Sequence, residues 1–61
     1  MAWLAVDKTG EENIFQFRPV RTETKFRPLY PYSMTLTLPK DTIKKILGYD
    51  LTWEDDPVEY K

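Results

Sequence analysis

The 61-residue chain has no cysteine and no histidine, and its nine Lys and Arg against ten Asp and Glu give a net charge of −1. That length holds one domain, and so short a chain buries only about 60% of its unfolded surface. The composition excludes a disulfide framework and a thiol or imidazole catalyst, leaves a structural zinc almost no ligands, and argues against a general nucleic-acid or membrane-surface binder.

Small domains without cross-links or metals rely on a dense core or on oligomerisation. Nine aromatics, three Phe, four Tyr and two Trp, supply material for such a core. The opening run Trp3 to Val6 is far too short to span a membrane, and no cationic stretch precedes it. With cysteine absent as well, the expected location is cytoplasmic.

The same run, Trp3 to Val6, has strand length. Asp7-Lys8-Thr9-Gly10 follows, with Asp and Gly at the first and fourth positions of a type I turn. From Asn13 to Arg18 the residues alternate, Phe15 and Phe17 on one face, Gln16 and Arg18 on the other, which predicts a half-buried strand. The two strands and their turn make a β-hairpin, which Pro19 should end. Residues 19–32, punctuated by Pro19, Pro28 and Pro31, lack apolar periodicity and read as a loop with extended parts.

Residues 33–38 form the cleanest strand pattern, with Met34, Leu36 and Leu38 on one face and Ser33, Thr35 and Thr37 on the other. Pro39 stops it. Asp41 is then placed to cap a helix over Lys40 to Leu47, in which Ile43, Ile46 and Leu47 form one apolar stripe and Gly48 the left-handed terminus. Leu51 to Trp53 reads as a short strand, Glu54 to Pro57 as a turn, and Val58 to Tyr60 as a final edge strand. The expected fold is α+β: a small antiparallel sheet of three to five strands with one short helix on one face.

Little in the chain points to catalysis. The one serine, Ser33, has no nucleophile elbow around it, and no carboxylate pair is marked for acid–base work. The cluster Asp50, Glu54, Asp55, Asp56 lacks the alternation and central Gly of a calcium loop, so no metal or other cofactor is expected. The charges are unevenly placed. Arg18, Arg21, Lys25 and Arg27 face only Glu23 in the middle, and the end of the chain is acidic, so the two can attract each other within or between protomers.

Cations interleaved with aromatics in 18–32 can hold phosphates and stack bases, with Arg18, Arg21, Lys25 and Arg27 on the phosphates and Phe26, Tyr30 or Tyr32 on a base. Equally, the aromatics can be core and the cations surface. Trp3, in an apolar strand, reads as core. Trp53, before an acidic turn, reads as core or as an interface anchor, and Tyr60 is a further exposed candidate.

Three stretches carry a resemblance: Trp3-Leu4-Ala5-Val6-Asp7 with Gly10-Glu11 and Ile14-Phe15; Leu38-Pro39-Lys40 with Ile43 to Gly48; and Leu51 to Glu59. Their order resembles short uncharacterised proteins encoded in phages and prophages, many from gut Bacteroidetes. The resemblance covers both ends and skips residues 19–33. It brings no activity and no site residues; it implies a phage-linked accessory protein acting inside a bacterium. The expected function is therefore non-catalytic binding of protein, by self-association as a homo-oligomer or by blocking a host factor, a host defence component included. The alternative is sequestration of a nucleotide or short nucleic acid by 18–32.

Overall fold

The structure, a computed structural model, describes residues 2–60. Strands β1 (Ala2–Val6) and β2 (Glu12–Phe15) form the predicted hairpin, with Trp3 opposite Phe15 and Val6 opposite Glu12. In its turn the Gly10 N–H donates to the Asp7 carbonyl at 2.8 Å. Gly10 takes φ 93°, a conformation that costs a residue with Cβ dearly.

β2 ends at Phe15, three residues short of the expected Arg18. Its last rung is Gln16, whose N–H reaches the Met34 carbonyl while its side-chain Oε1 accepts the Met34 N–H. Beyond that the chain bends towards the buried Pro19. Phe17 leaves the face of Phe15, stays 45% exposed and meets Tyr30 edge-on at 5.4 Å. The expected loop contains a second hairpin, β3 (Val20–Arg21) paired with β4 (Phe26–Arg27). Thr22 closes its turn: the N–H donates to the Lys25 carbonyl at 2.8 Å, and the hydroxyl donates to the same carbonyl at 2.7 Å.

β5 (Thr35–Leu38) joins β2, and β6 (Val58–Tyr60) joins β1, both antiparallel. The main sheet runs β5-β2-β1-β6. This is the small α+β fold, with the second hairpin added. Leu51 to Trp53 is not a strand. Asp55 turns its carboxylate back to the Thr52 N–H at 2.8 Å, folding 52–55 into a turn two residues ahead of the expected one.

Helix α1 (Thr42–Leu47) is shorter than expected, and Asp41 does not cap it. Asp41 takes a left-handed backbone, φ 68°, in place of the extended one usual for a capping residue, and its side chain makes no bond to the helix N–H groups. Glu12 on β2 replaces it. Its Oε2 accepts the Asp41 N–H at 2.6 Å and its Oε1 the Ile43 N–H at 2.8 Å. Gly48 ends the helix as expected, at φ 83° with its N–H on the Lys44 carbonyl.

Cross-strand register assigns the faces, because residues directly opposite share a side. Leu4, Val6, Ile14, Leu36, Leu38, Val58 and Tyr60 share one face. There Leu4, Val6 and Ile43 are the buried centre, with Leu38, Leu47 and Leu51 against them. The opposite face carries Trp3, Ala5 and Phe15, covered by Phe26 and Trp53. Trp3, expected in the core, is half-buried. Each sheet face thus has its own cover, the helix on one and the second hairpin on the other.

Candidate functional site

The basic and aromatic residues of 18–32 do not gather at one place. Arg21, on β3, lies against two rings, its guanidinium carbon 4.6 Å from the Phe26 centroid and 4.5 Å from that of Trp53. It also donates to the Trp53 carbonyl and, at 3.0 Å, to the Asp55 carbonyl. The basic middle and the acidic end therefore meet within one protomer, through backbone carbonyls rather than carboxylates. Phe26 is only 4% exposed, clustered with Ala5 and Phe15 and packed edge-on against Trp53 at 5.3 Å, so its ring is covered by protein. Trp53 is half-buried by the same contacts.

Arg18 lies over the Trp3 ring at 5.3 Å. Lys25 and Arg27 are exposed around the second hairpin. Tyr30 is half-exposed beside Phe17, and Tyr32 is 95% exposed.

Two buried polar residues organise this side of the sheet. Asp7, continuing the alternation of β1, accepts the Phe26 N–H on Oδ1 at 2.8 Å and the Asn13 side-chain amide on Oδ2 at 3.2 Å. Asn13 in turn accepts the Thr37 hydroxyl at 2.9 Å. One row of side chains so ties β5, β2 and β1 to the second hairpin. Among the described residues no buried side-chain nitrogen or oxygen lacks a partner. Every member of the row is already bonded within the chain, which leaves none aimed at a ligand.

A shallow groove of about 550 Å³ lies between the first turn and the helix entrance, lined among others by Asp7, Lys8, Glu12, Asp41, Asp50 and Trp53. Its best-placed carboxylates, Asp7 and Glu12, are held by backbone N–H groups. Among the described residues no three acidic side chains form a metal-holding group.

The helix side of the sheet presents the other surface. α1 has six residues, about 9 Å of helix, against four strands spaced about 4.8 Å apart. It covers the end of the sheet that carries Val6 and Leu38. The other end is open: Met34 is 65% exposed, Leu36 58% and Tyr60 46%. Ala2, Ile14, Met34 and Leu36 line an apolar depression of about 230 Å³ there. The alternation of residues 33–38 places Met34 and Leu36 on one face with Leu38. They do take the apolar side, but no element lies over them. The signal that would have found them is the arithmetic above: one two-turn helix is too short to cover the face.

Beside that depression runs the outer edge of β5. The Gln16 N–H to Met34 carbonyl bond fixes which β5 residues bond inward. In an antiparallel ladder these alternate, so Met34, Leu36 and Leu38 direct their backbone to β2 while Thr35 and Thr37 direct theirs to solvent. The Asp7 N–H to Glu11 carbonyl bond sets the same phase from the other side of β2.

Compared with known proteins, the chain matches no family model, no curated protein and no solved structure. Among the described residues no helix is long and apolar enough to cross a membrane. The surfaces themselves are the ground for a functional reading.

Proposed function

We propose that the chain is a non-catalytic protein-binding module whose docking surface is the open half of the helix-side sheet face. The observation that carries this is the exposure of Met34 and Leu36 beside an edge strand with no charge on it. Clustered apolar surface of this kind marks interaction sites, and a free edge offers backbone groups to a partner. The partner class is a protein presenting an apolar face. The resemblance at both chain ends supplies the setting: a phage-linked accessory protein in a bacterial cytoplasm, blocking a host factor such as a defence component. Absence of His and Cys removes the commonest acid–base and nucleophilic side chains from any competing catalytic reading.

Capture from a bacterial lysate tests the proposal, with the chain carrying Met34→Ser and Tyr60→Ser as the comparison. A protein retained by the unmodified chain and lost with the double variant is the expected result. Retention equal in both, or none, refutes the surface. An adduct of nucleotide mass that disappears at high salt and on Lys25→Ala with Arg27→Ala would instead support nucleotide sequestration by the exposed cations and Tyr30 or Tyr32.

A further inference from the structure

We infer that β5 pairs antiparallel with β5 of a second copy about a two-fold axis through Leu36, so that the chain's first partner is itself. The inference rests on the protein-binding reading and names the occupant of its edge.

Three features point to a second copy rather than a foreign strand. The first is register. Thr35 and Thr37 carry the outward backbone groups, so Thr35 of one copy and Thr37 of the other exchange two hydrogen bonds, and the converse pair does the same. Leu36 then faces Leu36 of the second copy in the close, non-bonded position, with Cα atoms about 4.5 Å apart. Met34 falls opposite Leu38 of the second copy. Apolar meets apolar on one face and threonine meets threonine on the other, with no charge in the row.

The second feature is contrast between the edges. β6 is three residues long and carries Glu59, the short, charged form that discourages pairing. β5 carries no charge, proline or bulge from Thr35 to Leu38, and Thr35, Leu36 and Thr37 are all exposed. The third is where the covers fall. α1 stands over the Leu38 end of β5 through Ile43 and Leu47. The two-fold brings that end beside the open Met34 end of the other copy. Each helix therefore borders the depression that the other copy's sheet leaves bare, and its partly exposed Ile46 adds apolar surface at that border.

Sedimentation of the full chain across a concentration series reads the pairing. The expected species has twice the chain mass of 7.3 kDa. Leu36→Lys alone and Leu36→Glu alone should each stay at chain mass, because like charges are then opposed across the axis, and an equal mixture should restore the doubled mass. As the chain is free of cysteine, Leu36→Cys supplies a single thiol. It should form a disulfide-linked dimer under oxidation that leaves Thr9→Cys, on the first turn, largely monomeric. A chain at single mass up to about 1 mM, the weak end of specific association, overturns the inference. So does a dimer that persists in both charge variants. A monomer that still captures a protein dependent on Met34 and Tyr60 sinks the pairing and leaves the binding reading intact. A dimer that captures nothing does the reverse.

Discussion

Glu12 is the residue whose loss should tell most about how the helix is held. α1 has six residues, well below the length at which a helix persists alone in water. Its first N–H groups are bonded by the Glu12 carboxylate, one oxygen to Asp41 and one to Ile43. Losing an ordinary cap costs about 0.5–2 kcal/mol, and a hydrogen bond to a charged group contributes about 1.5–3 kcal/mol. One of the two bonds is exposed and the other part-buried, so Glu12→Ala should cost about 2 kcal/mol. In a domain of 60–100 residues each kcal/mol moves Tm by about 4–8 °C, which puts the fall near 8–16 °C. Glu12→Gln keeps one acceptor oxygen and loses the charge, so about half that fall is expected.

Thermal unfolding by circular dichroism measures the loss, and amide exchange localises it. The Ile43 N–H should exchange roughly 30-fold faster in Glu12→Ala, since about 1.4 kcal/mol corresponds to a factor of ten. A Tm within 2 °C of the unmodified protein, with Ile43 exchange unchanged, would show that the helix is held by apolar docking alone and refute the capping argument.

Three further outcomes follow from single contacts. Asp41→Gly should raise Tm by a few degrees, because the left-handed φ of 68° carries strain that glycine lacks and the aspartate side chain caps nothing; a fall would mean that Asp41 does cap the helix in solution. Asp7→Ala strips partners from the Phe26 N–H and the Asn13 amide and should cost about 2–4 kcal/mol, enough to leave much of the chain unfolded at 37 °C by circular dichroism. Arg21→Lys keeps the charge but loses the planar group that lies against Phe26 and Trp53; about 1–2 kcal/mol of stability and a changed Trp fluorescence maximum are expected, whereas unaltered values would make the contact incidental.

Local signals carried most of the fold into the sequence. Gly10 and Gly48 marked two backbone positions that need positive φ, and both bound the elements expected of them. The alternation of residues 33–38 gave β5 its correct faces. What sequence could not carry was long-range substitution of one partner for another. Asp41 has the right chemistry and spacing for a cap, yet a carboxylate 29 residues earlier in the chain takes its place. The strand expected at Leu51 to Trp53 lost to a side-chain bond between Asp55 and Thr52, a competition decided over three residues. Phe17 looked identical to Phe15 in pattern. Only the bend before Pro19 separates a ring 2% exposed from one 45% exposed.

The candidate residues divide for the same reason. A cation beside aromatics in a sequence can serve a ligand or the fold, and the difference lies in whether the rings are already covered. Arg21 and Phe26 serve the fold: the guanidinium lies over the Phe26 and Trp53 rings, and those two rings meet edge-on. Residues that serve a partner are identified by the opposite condition, apolar groups that the fold has oriented together and then left without cover. Met34 and Leu36 meet that condition, because β2 holds them on the core side of a sheet that one six-residue helix is too short to span. The same shortage that leaves the face open also limits the burial of a chain already short enough to be marginal. Association through β5 would answer both at once, extending the sheet across the two-fold and placing a second helix beside the uncovered end.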